Sequence, residues 1–154
     1  MKYLPGLSLE IVGEGPDRAR LEKVANEQGI AGRVHFRGRQ KRAQIADLMR
    51  QATIFALPSR YEGLGCVYLE AMSAGRPVIA CRGQGIEEVI ENGANGCLID
   101  ADDLPGLIGI ISELLQQPET RRRIGGAARQ TIMSGYTQAL AAARLLRLYR
   151  ECLG

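Results

Sequence analysis

Short apolar runs alternate with stretches of helical periodicity along this chain, a pattern typical of βα units arranged around a parallel sheet. Runs rich in Val, Ile and Leu that are too short for helices predict strands. Five strands are predicted in this way, at Leu7–Val12, Val34–Phe36, Thr53–Leu57, Pro77–Ala80 and Gly96–Ile99.

Helices are predicted between these strands, where apolar positions recur three and four residues apart. The first helix has Pro16 at its first position, Leu21 and Val24 on its apolar face, and Gly29 after its end. The remaining helices are predicted around residues 43–49, over Val67–Ala74, over Glu87–Ile90, and from Asp103 onward with breaks at Gln117-Pro118 and Ser134-Gly135.

These elements predict one α/β domain of Rossmann-like type over residues 1–154, in which helices flank a parallel sheet. A helical tail begins near residue 103. The length suits a single domain, and a chain of this size buries roughly 70% of the surface that its unfolded form exposes. Neither a linker nor an internal repeat interrupts the pattern.

Charge and composition exclude several classes of protein. Residues 51–120 carry three Lys or Arg against ten Asp or Glu, and the chain has only five Tyr and two Phe, so the basic, aromatic-lined groove of a nucleic-acid-binding protein is not expected. No apolar run approaches the roughly 18–20 residues of a membrane span, and the N-terminus lacks a signal-peptide pattern.

We expect a cytoplasmic protein. Peripheral contact of its basic C-terminal helices with anionic lipid at the inner face of the membrane stays open beside an ordinary solvated helix face.

The chain offers no cluster of metal ligands. His35 is the only histidine, and the four cysteines are dispersed at positions 66, 81, 97 and 152 without a CxxC pair. Neither a zinc site nor a disulfide framework is therefore expected.

Three Gly-rich turns follow predicted strands, at residues 13–15, 63–65 and 83–85. In open parallel sheets, ligands bind beyond the carboxyl ends of the strands, where helix N-termini present free N–H groups to anions. A phosphorylated ligand is the natural candidate, because glycine lets it approach the backbone. Gly13 and Gly15 also match part of a dinucleotide-binding fingerprint, but Arg18 replaces its third glycine, and we reject that interpretation.

The distinctive segment runs from Pro58 to Ala80 and places two carboxylates, Glu62 and Glu70, on either side of Gly63–Gly65. A carboxylate accepts hydrogen bonds from two adjacent hydroxyls, as in a ribose or a hexose, and amides at a helix start suit a diphosphate. The order of these groups along the chain, a carboxylate, backbone amides and a second carboxylate, therefore matches a ligand in which a diphosphate links a sugar to a ribose. The structural alternatives are a helix cap for Glu62 and an ordinary surface position for Glu70.

This segment resembles the Glu-x7-Glu motif of the retaining GT-B glycosyltransferases of group 1, also numbered family 4. The resemblance continues in four further stretches and covers about residues 7–100, with a plausible helical tail; several spaced motifs in the right order make it specific. Those stretches are Leu9–Pro16, Val34–Gly38, Gly83–Ile90 and Asn92–Ile99.

The resemblance implies the C-terminal half of a GT-B fold, which binds the nucleotide-sugar donor. Glu70 would hold the donor ribose, and Glu62 would be the catalytic residue that orients the transferred sugar. A nucleotide sugar is then the substrate, and neither a metal nor another cofactor is implied. The other implied donor-binding residues are Gly63, Leu64, Gly65, Arg37, Gly38 and Gly13.

Two parts of the family pattern are absent, namely the acceptor-binding N-terminal domain and a Gly-Arg…Lys-Gly segment, since Lys2 is the only cation of Met1–Gly6. We therefore expect the isolated chain to be inactive and to need an acceptor-binding domain or subunit as its partner. A second hypothesis is a non-catalytic nucleotide-binding or assembly module derived from such an enzyme. A third is a nucleotide-sugar epimerase-like domain, against which the Glu62–Glu70 segment argues.

Overall fold

The computed structural model describes residues 6–153 and contains alternating strands and helices followed by three helices. Lys2 lies outside the described residues. The elements are β1 (Leu9–Val12), α1 (Arg18–Glu27), a first 3₁₀ helix (Ala31–Arg33), β2 (Val34–Gly38), α2 (Arg42–Gln51), β3 (Phe55–Leu57), α3 (Cys66–Ser73), β4 (Val78–Cys81), a second 3₁₀ helix (Gly85–Glu88), β5 (Cys97–Ile99), α4 (Leu104–Gln116), α5 (Pro118–Gly135) and α6 (Gln138–Leu153).

All five predicted strands are confirmed, with bounds that differ by one or two residues from the predicted ones. The start predicted for α1 is wrong, because Asp17 is its N-cap and Pro16 lies in the turn before it. Both breaks predicted in the helical tail are confirmed, since α5 begins at Pro118 and ends at Gly135.

The helix predicted over Glu87–Ile90 is instead a 3₁₀ helix over Gly85–Glu88. The Gly83 N–H donates to the Glu87 carboxylate at 2.5 Å, and Gly83 has a φ of +72° in the turn that precedes this 3₁₀ helix. The carboxylate that stabilises this turn therefore belongs to Glu87.

The strand pairs of the described residues are all parallel and form two sheets, one of β1 and β2 and one in the order β3-β4-β5. The chain also divides into two compact units, of which one ends at Asp47 and the other begins at Leu48. The α/β class with parallel strands flanked by helices is confirmed; the extent of a single domain over residues 1–154 stays a prediction.

The core of the second unit is built on β4, whose four residues are all buried. Successive side chains of a strand point to opposite faces, so Ile79 and Cys81 share one face. They pack there with Cys97 and Ile99 of β5 and with side chains of α4 and α5. A central strand buried on both faces is typical of parallel sheets covered by helices.

Helix α5 contacts the turn that ends α3. Gly125 approaches so closely that a Cβ on it would lie 2.3 Å from the carbonyl oxygen of Gly75, and Arg129 donates to the Ser73 carbonyl at 2.6 Å. Gly75 has a φ of +72°, which glycine adopts without a steric penalty. Two glycines therefore allow α3 and α5 to pack with their backbones in contact.

Helix α6 contains no buried residue, and the side chains of Leu145, Leu146, Leu148, Tyr149 and Leu153 are exposed. Within residues 6–153, no helix combines the length and apolarity that crossing a membrane requires.

Candidate functional site

The loop that follows β3, residues 59–65, carries four of the predicted site residues, and we call it the glycine loop. It leaves the carboxyl end of β3 and leads into α3, the position at which open parallel sheets bind ligands. The predicted residues that it brings together are Glu62, Gly63, Leu64 and Gly65.

Gly65 is the N-cap of α3 and adopts a left-handed conformation with φ of +64° and ψ of +73°. A Cβ there would lie 2.5 Å from two ring carbons of Tyr68 and 2.8 Å from the Cγ of Glu62. The stem of Glu62 therefore lies against the Gly65 backbone. Glycine is required at this position for its backbone angles and for the space that it leaves.

Tyr68 forms the floor beneath the glycine loop and is fully buried. Its hydroxyl donates to the Leu57 carbonyl at 2.7 Å, and its ring meets Phe55 edge-on with the ring centroids 6.0 Å apart. Burial raises the pKa of Tyr68 to about 12, and the nearby Glu62 carboxylate adds to the increase. Tyr68 is therefore a neutral phenol that ties the start of α3 to the end of β3.

The glycine loop is also tied to the turn that follows β4. The backbone N–H of Glu62 donates to Oε1 of Gln84 at 2.7 Å. A Cβ on Gly85 would lie 2.6 Å from the Gly63 carbonyl oxygen, so the two backbones are in contact. Two of the three predicted Gly-rich turns thus lie side by side.

The Glu62 carboxylate and the next three amides form a group without protein partners. Within residues 6–153, the carboxylate accepts no hydrogen bond and forms no ion pair, although Glu62 is only half-exposed. Across the same range, no hydrogen bond uses the N–H groups of Gly63, Leu64 and Gly65. An acceptor and three adjacent donors are therefore available to a ligand that carries hydroxyl and anionic groups.

Glu70 lies in the second turn of α3 and is half-buried. Because each helical residue turns by about 100°, Glu70 points away from the face on which Tyr68 and Met72 are buried. It shares that outer face with Cys66, the first residue of the helix. The glycine loop leads into α3, and Glu70 lies one helical turn after Cys66.

An ion pair between Arg60 and Asp102 joins the glycine loop to the chain after β5. Asp102 is in the left-handed region with a φ of +68°. The positive charge of Arg60 is therefore neutralised by a protein carboxylate.

The three remaining predicted residues, Gly13, Arg37 and Gly38, lie in the first unit. The Gly13 N–H donates to the Gly38 carbonyl at 2.9 Å, so these two glycines are neighbours. Arg37 makes two hydrogen bonds to the Glu10 carboxylate, at 2.5 and 3.3 Å. These bonds lower the pKa of Glu10 and raise that of Arg37, which is therefore engaged with a protein carboxylate.

The sequence did not indicate a role at this site for two side chains, those of Tyr68 and Gln84. Gly83–Gly85 was recognised as a turn, yet nothing local distinguishes the side chain of Gln84. Within residues 6–153, no group of three or more His, Cys, Asp or Glu side chains could hold a metal ion.

The sequence matches the family described as glycosyl transferases group 1 over residues 1–131, which is most of the chain. The chain belongs to the group 1 glycosyl transferases. Among curated members of that family it is 33% identical over 141 residues to an alpha-D-kanosaminyltransferase of Streptomyces kanamyceticus. It is 32% identical over 154 residues to a GDP-mannose-dependent phosphatidylinositol monomannoside mannosyltransferase of Mycolicibacterium smegmatis.

These glycosyltransferases are much longer than the chain. The matches cover 92% and 96% of this chain but only 36% and 40% of the two relatives.

Solved structures give the same fold. Sucrose-phosphate synthase from Thermosynechococcus elongatus superposes with a TM-score of 0.89 at 28% identity, covering 99% of this chain and 40% of that one. The C-terminal domain of a group 1 glycosyl transferase from Francisella tularensis superposes with a TM-score of 0.82 at 24% identity, covering 89% of this chain and 73% of that domain. The chain therefore has the Rossmann-like fold of a GT-B C-terminal domain.

Proposed function

We propose that this chain binds the nucleotide-sugar donor of a glycosyltransferase that transfers a sugar, with retention at the anomeric carbon, to an acceptor hydroxyl. The observation that carries the proposal is the group of free acceptor and donors in the glycine loop. A half-exposed carboxylate at Glu62 stands directly before three amides without protein partners, at the start of α3.

The proposed roles follow from the chemistry of these groups. The Glu62 carboxylate accepts hydrogen bonds from hydroxyls of the transferred sugar, and the amides of Gly63–Gly65 meet the diphosphate. Glu70, on the outer face of α3, accepts hydrogen bonds from the two ribose hydroxyls. The departing diphosphate takes the proton of the acceptor hydroxyl, and the proposal assigns no step to a metal or other cofactor.

The donor class is a nucleoside diphosphate sugar. The mannosyltransferase relative is GDP-mannose-dependent by name, which supports a nucleotide sugar and leaves the base to be measured. Gly13 and Gly38, which are neighbours within the first unit, stay proposed donor-binding residues. Arg37 is not assigned to a phosphate, because Glu10 holds it.

The acceptor is bound by another part of the enzyme. Since the chain spans 36% and 40% of the two relatives, we assign acceptor binding to a domain or subunit outside it, and we expect the chain by itself not to transfer sugar. The proposed setting is the cytoplasm, with peripheral contact at the inner face of the membrane, in polysaccharide or glycoconjugate synthesis.

Calorimetric titration of UDP, GDP and ADP, and of one sugar conjugate of each, tests the donor site. Hydrogen bonds to a charged acceptor contribute roughly 1.5–3 kcal/mol, so Glu70→Ala is expected to weaken binding by about 10- to 150-fold. Glu113→Ala is the matched control, because Glu113 is an exposed helical glutamate of α4. Equal effects of the two substitutions would contradict the role of Glu70.

The second candidate function is an assembly module without turnover, which the exposed Leu and Tyr side chains of α6 favour. If the folded chain binds none of these nucleotides at millimolar concentration, this candidate replaces the donor site.

A further inference from the structure

We propose that Gln84 is a positioning residue for Glu62: it holds the backbone of the glycine loop and so sets the direction in which the Glu62 carboxylate meets the donor sugar. This inference rests on the proposed function and extends it to a side chain outside the glycine loop.

The contact that carries the inference is the hydrogen bond from the Glu62 N–H to Oε1 of Gln84. At 2.7 Å it is at the short end of the usual range for such bonds, and it is partly shielded from water. The bond fixes the peptide plane that precedes the Glu62 Cα. The direction of the Glu62 side chain depends on that plane.

Backbone packing beside this bond limits how the loop can move. Gly85 touches the Gly63 carbonyl, and the Glu62 stem lies against Gly65. The residue that carries the carboxylate is therefore held from two sides. The Gln84 bond is the directional contact among these, because it fixes the orientation of one named N–H group.

Gln84 lies in a turn that hydrogen bonds and ion pairs of its neighbours stabilise. The Gly83 N–H donates to the Glu87 carboxylate, and the Arg82 N–H donates to the Ile99 carbonyl at 2.8 Å. The Arg82 side chain also pairs with Glu87 and Asp100, at 3.9 and 3.5 Å. The turn is therefore held against β5, and Gln84 connects it to the glycine loop by a hydrogen bond.

The chemical identity of residue 84 suits this role. A glutamine offers an acceptor oxygen without a charge, so it holds the Glu62 amide without placing a second negative charge beside the Glu62 carboxylate or the diphosphate. A glutamate would keep the acceptor and add that repulsion. A methionine has a similar length and offers only a weak acceptor.

The test begins without ligand, by measuring amide hydrogen exchange of the chain by NMR. Gln84→Met is expected to speed exchange at the Glu62 amide at least tenfold, while exchange in β4 and the thermal unfolding midpoint stay close to those of the unsubstituted chain. Gln84→Glu, which restores an acceptor, is expected to restore slow exchange. Gln130→Met, at an exposed position of α5, is the matched control.

The second measurement uses the nucleotide that binds, with UDP and UDP-glucose or GDP and GDP-mannose as the probes. The gain in affinity that the sugar brings is expected to fall severalfold in Gln84→Met, while the affinity for the diphosphate alone changes less than twofold. In a Glu62→Gln background, Gln84→Met is expected to change neither, because a positioning residue acts through the group that it positions.

Unchanged exchange at Glu62 would overturn the inference, and so would an equal loss of sugar affinity in the presence and absence of the Glu62 carboxylate. Failure of the unsubstituted chain to bind any of the nucleotides would overturn the proposed function together with the positioning role. Nucleotide binding with unchanged Glu62 exchange would overturn the positioning role alone.

Discussion

Gly65 carries two constraints at a single Cα atom. Its φ of +64° lies in a region that L-amino acids avoid, and the space where a side chain would start is occupied by the Tyr68 ring and the Glu62 stem. Glycine at the N-cap of α3 therefore permits both the conformation of the glycine loop and the close packing of the Tyr68 ring against it.

Gly65→Ala is expected to destabilise the chain by about 2–5 kcal/mol, because the left-handed conformation costs roughly 1–2 kcal/mol and overpacking roughly 1–3 kcal/mol. Urea unfolding followed by circular dichroism measures the change. Gly63→Ala is the control, since a Cβ at Gly63 meets nothing within 4 Å and its φ is outside the left-handed region. A similar loss at both positions would refute this account.

Among individual residues, the sequence indicated those that lie close together in one local motif. It did not indicate residues that are distant in sequence and contact that motif in the folded chain. Glu62, Gly63 and Gly65 were predicted from their spacing along the chain, and their role in binding stays a prediction. Gln84 lies 22 residues beyond its partner Glu62, and no pattern within a window of helix or strand length links them. The Glu10 partner of Arg37 was missed for the same reason, since it lies 27 residues away on the paired strand β1.

At the scale of elements, the packing of α5 against the end of α3 depends on one face of α5. Gly125 and Gly126 are adjacent in sequence and differ by about 100° around the helix. Gly125 is buried against the Gly75 carbonyl, whereas Gly126 is exposed and a Cβ on it meets nothing within 4 Å.

This difference predicts opposite effects of the same substitution at neighbouring positions. Gly125→Ala is expected to destabilise by about 1–3 kcal/mol, because backbone atoms of Gly75 cannot yield as a flexible side chain does. Gly126→Ala is expected to stabilise by about 0.5–1 kcal/mol through helix propensity. Thermal unfolding midpoints measure both changes, and two shifts of the same sign would contradict the packing described.

The sequence predicted the order and type of the elements well, because hydrophobic periodicity is a local property that burial imposes on each strand and helix. It was less accurate at the boundaries of elements. Helix α1 begins after Asp17 and not at Pro16, and the segment predicted as a helix over Glu87–Ile90 is a 3₁₀ helix over Gly85–Glu88. Which strands pair, and hence the division into two sheets, depends on contacts between distant parts of the chain.

At the scale of the whole molecule, ionisation of the Tyr68 phenol makes the free energy of unfolding depend on pH in the alkaline range. The pKa of its phenol is about 12 in the folded chain, above the ordinary value of 10. A group whose pKa is raised by folding contributes its full stabilisation below the unfolded pKa and loses it as the pH rises through the folded pKa. Stability is therefore expected to fall between about pH 10 and pH 12.

The loss that Tyr68 causes is limited to roughly 2.7 kcal/mol, the equivalent of about two pKa units. Tyr68→Phe removes the phenol, and its free energy of unfolding is expected to fall less steeply above pH 10 than that of the unsubstituted chain. Urea unfolding at pH 9, 10 and 11 compares the two chains. Parallel pH profiles would show that Tyr68 does not cause the loss.

Burial in the sheet also makes two of the four thiols less reactive than the other two. Burial raises the pKa of Cys81 and of Cys97, so these thiols are both inaccessible and protonated, whereas Cys66 and Cys152 are exposed. A maleimide dye would therefore label the folded protein at two positions, and Cys152→Ser would leave one. That one fluorophore would stand on the first residue of α3, next to Gly65, where its emission could report each arrival of a ligand at the glycine loop.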